Sequence, residues 1–208
     1  MENITTQWKY LAHVRKHDQH EQTVATHLSE VAALTKLFAG KVNLPLAGEI
    51  LGLLHDFGKY SQAFQQYIKS ATELIDPDED DYVNAKGLKG KIDHSTAGAQ
   101  YIWQTLSKIG VAGQGELCGQ MLALCIASHH SGLIDCFNLD GQGTFVKRVN
   151  KEDEKTHLLE CKSSADNSIL QRAEELGSKE LVAEMLTQVK KIAGLPPENN
   201  CYSKIESF

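Results

Sequence analysis

The chain has 208 residues, of which 41% are hydrophobic and 23% charged, a composition typical of a folded domain rather than a disordered segment. Its formal net charge of −6 argues against tight binding of duplex nucleic acid by this domain alone, although bound divalent cations would supply positive charge locally. We expect no membrane partner, because no apolar run reaches about 18 residues. The N-terminus lacks the pattern of a signal peptide, which predicts a cytoplasmic protein.

Apolar residues recur at three- and four-residue steps along most of the chain, and this period predicts an all-α fold. The predicted helices cover, in chain order, residues 21–39, 46–57, 60–70, 95–109, 115–130, 165–177 and 179–193. Loops are expected over 71–93 and 131–145, and no convincing β alternation is present. We expect one domain over residues 1–195, followed by a linker or tail over 196–208.

A histidine and an aspartate, His55 and Asp56, stand side by side where an apolar run ends. Imidazole nitrogen and carboxylate oxygen are good ligands for divalent metal ions. Adjacent side chains on a helix diverge by about 100°, because there are 3.6 residues per turn. The pair can therefore share one ion only near a helix end, or Asp56 can bridge two ions.

Four further histidines have comparable positions, although any one of them alone is more often a structural residue. His27 falls on the apolar side of the first helix, where a metal and a carbonyl or carboxylate would satisfy its two nitrogens. His94 lies where a loop enters a helix. His129 and His130 are adjacent at a helix end, so we expect one ligand for each of two ions, or one ligand and one phosphate contact.

The other histidines are interpreted as surface residues in polar surroundings: His13, His17, His20 and His157. The acidic run over 76–81 is expected to be a solvated loop, as most blocks of like charge are. These four histidines and the acidic run are therefore not included in the predicted metal site.

Taken together, these residues resemble a known family. The sequence His55-Asp56-x-Gly58-Lys59 resembles the signature of the HD metal-dependent phosphohydrolase superfamily. Three further segments narrow the resemblance: Ala12-His13, the stretch 91–99 and the stretch 128–135. They are similar to the HD nuclease domain of the type I CRISPR interference helicase-nuclease, over about residues 10–195.

The resemblance implies an HD-domain helical bundle with long loops, and a nuclease that degrades single-stranded DNA in CRISPR antiviral defence. Its partners would be a guide-RNA surveillance complex and a helicase domain or subunit. It also implies two divalent transition-metal ions, drawn from Mn, Ni, Fe and Co with Mg as an option, which activate a water. The implied metal ligands are His27, His55, Asp56, His94, His129 and His130. Asp56 and Lys59 are the predicted catalytic residues, with Lys59 contacting a phosphate or a carboxylate.

The chain departs from the family pattern at the last ligand, an aspartate inside a segment resembling Ser-x-Leu-x-Asp-Ala-Asp. No such segment occurs here, and the context of Asp166 makes it a poor substitute. No helicase motor is present either, so we expect a truncated chain or a stand-alone nuclease with an altered last ligand. Two alternatives stay open: an HD-type nucleotide phosphohydrolase, and an inactive docking module of a CRISPR complex.

Overall fold

The computed structural model describes residues 10–15, 17–75, 77, 81–88, 92–111, 113–130 and 132–194. Within these ranges the chain forms ten α-helices, two short 3₁₀ helices and one two-stranded hairpin. The predicted helical fold class is therefore confirmed, with the hairpin as an addition. No helix in the described part of the chain is long and apolar enough to cross a bilayer. Most of the acidic run over 76–81 and the expected tail over 196–208 lie outside the described residues.

The element bounds agree with the predicted helices to within a few residues over most of the chain. Two strands come first, β1 (Leu11–Arg15) and β2 (His20–Thr23). The α-helices are α1 (Val24–Gly40), α2 (Pro45–Leu54), α3 (Gln62–Ala71), α4 (Thr96–Leu106), α5 (Gln114–Ser128), α6 (Thr144–Val149), α7 (Asp153–Thr156), α8 (Leu158–Ser164), α9 (Asn167–Leu176) and α10 (Lys179–Ile192). The 3₁₀ helices cover Phe57–Tyr60 and Ala85–Gly87.

The hairpin contradicts the expectation of no β structure. Its strands pair antiparallel with an irregular register between Leu11 and His13, and β2 is polar throughout. A short polar strand shows no apolar alternation, so the sequence period could not reveal it. Thr23 then caps α1 by accepting a hydrogen bond from the Thr26 amide, and the helix begins at Val24 rather than near residue 21.

Only half of the predicted apolar stripe on α1 packs into the core. Val24 and Leu28 are fully buried, whereas Leu34, Leu37 and Phe38 are more than half exposed. The N-terminal part of α1, which carries His27, is therefore the part whose large apolar side chains enter the core.

Three helix ends meet at one side of the core and position the candidate site. α2 ends at Leu54, three residues earlier than predicted, so the next two residues lie in a turn before the 3₁₀ helix. α4 approaches this end so closely that a Cβ on Gly98 would lie 1.9 Å from the Leu54 carbonyl oxygen. Residue His94 precedes α4, and α5 ends at Ser128.

Candidate metal centre

Asp56 lies at the centre of the site, with only 4% of its surface exposed. The Nε2 atoms of five histidines lie between 3.0 and 3.9 Å from one of its carboxylate oxygens: His27, His55, His94, His129 and His130. All six residues predicted as metal ligands are thus close together in the fold, although they span about a hundred residues of sequence.

One carboxylate oxygen, Oδ1, faces three of these rings. It lies 3.5 Å from His94 Nε2, 3.2 Å from His129 Nε2 and 3.9 Å from His130 Nε2. The ligand atoms of these four residues all lie within 4.8 Å of one another, close enough to share an ion. We call them the Oδ1 group. It opens to solvent at His130, whose side chain is 60% exposed.

The other oxygen, Oδ2, faces the two remaining rings and a lysine. It lies 3.0 Å from His27 Nε2 and 3.2 Å from His55 Nε2, and these two nitrogens are 3.1 Å apart. We call Asp56, His27 and His55 the Oδ2 group. Its histidine side chains are less than 20% exposed, and the Lys59 ammonium lies 2.8 Å from the same oxygen. Asp56 alone belongs to both groups.

The main chain orients three of the rings through their second nitrogen. In His55, His94 and His129 the Nδ1 atom lies 2.7 to 2.9 Å from a backbone carbonyl oxygen. A carbonyl only accepts, so Nδ1 carries the proton and the Nε2 lone pair of the neutral ring points at the carboxylate. A carboxylate also only accepts. Such a gathering of lone pairs is stable when a cation or a proton lies among them, and this donor set fits a divalent metal.

The pKa shifts agree with an ionised, electron-rich site. Burial acts to raise the pKa of Asp56, but the surrounding histidine rings and the Lys59 ammonium outweigh it and hold this pKa well below its usual range. Burial lowers the pKa of His94 and of His130. Burial also acts to lower the pKa of His129, but its contact with Asp56 prevails and raises it.

Two pairs of adjacent side chains converge here. His55 Nε2 reaches the carboxylate of Asp56 past a helix end, the case in which the sequence allowed the two to share an ion. The rings of His129 and His130, which were expected to diverge, have centroids only 3.9 Å apart, and both belong to the Oδ1 group. The 100° rule fails because each pair lies past the end of its helix, at Leu54 and Ser128.

Lys59 is turned inward to the carboxylate, one of its two predicted contacts. Only 4% of the residue is exposed, and Nζ contacts Asp56 Oδ2, the Ala12 carbonyl oxygen at 3.3 Å and His13 Nε2 at 3.3 Å. A phosphate contact by Lys59 finds no support in this buried position.

His13 is exposed, as predicted, but its ring faces the metal centre. The ring packs edge-on against His27, with centroids 4.7 Å apart, and its ligand atom lies within 4.8 Å of those of His27 and Asp56. Partial enclosure of the ring, and then the charge of Lys59, lower the pKa of His13 to about 4. The interpretation of His13 as a surface residue missed this contact, which depends on the pairing of β1 with β2.

Asp166 does not replace the missing last ligand of the family. Its Oδ2 accepts a hydrogen bond of 2.9 Å from the hydroxyl of the buried Tyr60, and it belongs to neither group of clustered ligand atoms. The same bond and the burial of Tyr60 raise the pKa of that phenol, burial being the larger cause. The poor fit predicted for Asp166 agrees with this position.

A polar network that the sequence did not indicate supports His94. Asp93 accepts hydrogen bonds from the amide and hydroxyl of Thr96, and its Oδ2 also lies 2.9 Å from Lys151 Nζ. Arg148 on α6 donates to Ser95 Oγ at 3.0 Å and to Thr96 Oγ1 at 3.2 Å. Two cations from a distant segment therefore fix the residues on both sides of His94.

The helical fold and its His-Asp centre together define the class of this chain, a metal-dependent hydrolase domain of the HD type. A comparison with protein families is more particular, because the family described as "Cas3, HD domain" matches residues 12–195. The chain belongs to this family, as the sequence resemblance predicted. A search of curated proteins gives no match. Family membership places the domain among the metal-dependent hydrolases of CRISPR systems.

Proposed function

We propose that this domain is a nuclease that hydrolyses phosphodiester bonds of single-stranded DNA in CRISPR defence, acting with a helicase and a guide-RNA surveillance complex. The observation that carries the proposal is the convergence of five histidine nitrogens on the single carboxylate of Asp56. Divalent transition-metal ions held there would lower the pKa of a water and offset the charge of the scissile phosphate.

The residues of the chain have distinct parts in this proposal. Asp56 joins the Oδ1 and Oδ2 groups, so its loss affects both at once. His94, His129 and His130 would hold one ion, and His27 and His55 would hold a second. The exposed side chain of His130 marks the side from which a phosphate reaches the centre. Lys59 orients Asp56 through the 2.8 Å ion pair.

The loop after His130 favours a single strand as substrate. It carries Leu133, Phe137 and Leu139, which are 65% or more exposed, whereas Phe57 and Tyr60 are fully buried in the core. Unpaired bases offer apolar faces that stack on such side chains, while the bases of a duplex are already stacked on each other. Phe137, unlike the buried Phe57 and Tyr60, is therefore the candidate for a stacking contact.

Cleavage of circular single-stranded DNA tests the proposal. Protein stripped with a chelator should be inactive and should regain cleavage with Mn²⁺ or Ni²⁺. Asp56→Asn and His129→Ala should each reduce the rate by about a hundredfold or more, because each removes a ligand. His17→Ala is the matched control, since the His17 side chain is 73% exposed and belongs to neither group of clustered ligand atoms.

Three results would contradict the proposal, and each indicates a different alternative. Equal cleavage by Asp56→Asn would mean a contaminant or another site. Hydrolysis of mononucleotides without cleavage of DNA would identify a nucleotide phosphohydrolase. A folded protein that binds no metal would be an inactive docking module.

A further inference from the structure

We infer that Lys59 is a resident cation that makes the two halves of the centre unequal, so that the Oδ1 group binds a divalent ion much more tightly than the Oδ2 group. This inference rests on the proposed metal centre. It concerns a residue that touches Asp56 but offers no lone pair to an ion, since an ammonium only donates.

The position of the Lys59 ammonium is fully determined by its surroundings. An ammonium has three N–H bonds, and three acceptors surround this one: Asp56 Oδ2 at 2.8 Å, the Ala12 carbonyl oxygen at 3.3 Å and His13 Nε2 at 3.3 Å. The Phe64 ring lies on a further side, with its centroid 5.4 Å from Nζ. With 6% of its side chain exposed, Lys59 has little freedom to leave.

This ammonium acts against an ion at the Oδ2 group. An ion held by Asp56 Oδ2, His27 and His55 would share its only carboxylate oxygen with a positive charge 2.8 Å from that oxygen. Like charges that are close together and shielded from water repel far more strongly than exposed charges do. The ammonium also lies 3.3 Å from Nε2 of His13, a further ring near this half, and can draw on its lone pair.

The charge of Lys59 also acts on the three histidines of the Oδ1 group, but its ammonium is closest to the other oxygen, Oδ2, and so repels an ion at the Oδ1 group less strongly. Three histidines of the group lie 3.2 to 3.9 Å from Oδ1. The group offers four ligand atoms within 4.8 Å of one another, three of them nitrogens, and it opens to solvent. An ion therefore enters this half first, and the second ion binds only at higher concentration.

Calorimetric titration of chelator-treated protein with Mn²⁺ tests the inference without relying on activity. Wild type should show two classes of site that differ by about a hundredfold or more in affinity. Lys59→Met, which keeps the length and removes the charge, should tighten the weaker class by about tenfold or more and leave the tighter class nearly unchanged. Lys59→Gln keeps a hydrogen-bond donor for Asp56 and should also tighten the weaker class. This second variant tests the inference if Lys59→Met does not fold.

Lys108→Met is the matched control for the loss of one positive charge. Lys108 is exposed and follows the C-terminal end of α4, about 16 Å of helix away from the end that adjoins His94. It should leave both classes unchanged. Two equal classes in wild type, or a weaker class that fails to tighten in both Lys59 variants, would overturn the inference. A wild type that binds no Mn²⁺ at all would instead overturn the proposed function.

Discussion

Glu49 and Asp56 are both surrounded by basic side chains, yet only the Glu49 cluster is complete by itself. Glu49 on α2 lies 2.6 Å from Arg172 Nε on α9 and 2.7 Å from Lys36 Nζ on α1. Both partners only donate and the carboxylate only accepts. Arg172 also lies 2.9 Å from Glu175, so two cations face two carboxylates, although Glu49 Oε2 meets Lys36 as an ion pair without a hydrogen bond. This cluster ties three helices together and needs no ligand.

The Asp56 cluster has the opposite balance. Lys59 always donates to this carboxylate, while His55, His94 and His129, held through Nδ1, point their Nε2 lone pairs toward it. Packing these neutral rings against an anion leaves an excess of acceptors that an added proton or metal ion corrects. The difference shows that the balance of donors and acceptors, rather than the number of charged residues, separates a structural cluster from a candidate metal site.

The largest expected effect is a selective loss of stabilisation by metal. Mn²⁺ should stabilise wild type and Glu49→Gln equally, because a ligand that binds only the folded state adds about 2.7 kcal/mol at a hundredfold excess over its Kd. Asp56→Asn should gain far less, since both groups lose their shared carboxylate. Urea unfolding with Mn²⁺ and with chelator measures the difference. A full gain in Asp56→Asn would show that the ion binds elsewhere.

Two glycines allow the same comparison through the backbone. A Cβ on Gly58 would lie 2.5 Å from the His94 carbonyl oxygen, and one on Gly48 would lie 2.4 Å from that of Thr35. Gly58→Ala and Gly48→Ala should therefore both destabilise the fold, by about 1 to 3 kcal/mol. Only Gly58→Ala should also weaken Mn²⁺ binding, because it displaces His94. Equal Mn²⁺ affinity in the two variants would contradict a role for this close approach in placing His94.

A smaller effect is expected from the network behind His94. Lys151→Met removes the 2.9 Å contact with Asp93 and should weaken Mn²⁺ binding at the Oδ1 group by up to about tenfold. Lys36→Met removes an equal charge from the Glu49 cluster and should leave Mn²⁺ binding unchanged. Calorimetry of both variants decides whether the Asp93 network positions a ligand or only supports the fold.

The sequence indicated which residue types form the site, but it did not indicate which way their side chains point. Histidines at helix ends beside an Asp indicate a metal site because few other roles need that chemistry. The convergence of His129 and His130 was missed, since helical geometry no longer applies past Ser128. His13 was missed as a neighbour of the centre because the polar strand β2 has no alternation to predict the hairpin.

The residues that support the site could not be predicted from the sequence, for a different reason. Arg148 and Lys151 act on residues more than 50 positions earlier, and their segment shows no strong helical period. Nothing local to either residue distinguishes it from a solvated cation on the surface. The same holds for the Glu49 cluster, in which Arg172 comes from 123 residues away. Contacts of this range follow from the packing of helices and not from sequence pattern.

The smallest predicted effect concerns the acid dependence of the stability that the Glu49 cluster contributes. Hydrogen bonding to Arg172 is the largest cause that lowers the pKa of Glu49 below 4.5, although burial opposes it. A carboxylate whose pKa is lowered by folding stabilises the protein above its unfolded pKa, and this contribution disappears as the pH falls through 4.5 toward the folded value. Because Arg172 and Lys36 are 40% and 47% exposed, the gain at neutral pH should be only about 1 kcal/mol.

Glu49→Gln should therefore be less stable than wild type at neutral pH and should approach it in acid, with metal binding unchanged at neutral pH. Urea unfolding of both proteins in the presence of chelator, at neutral pH and below 4.5, measures this convergence without a contribution from the metal centre. Lys36→Met provides a second check, since it should narrow the same difference through the other ion pair. A gap that persists in acid would mean that Glu49 acts through packing and not through its charge.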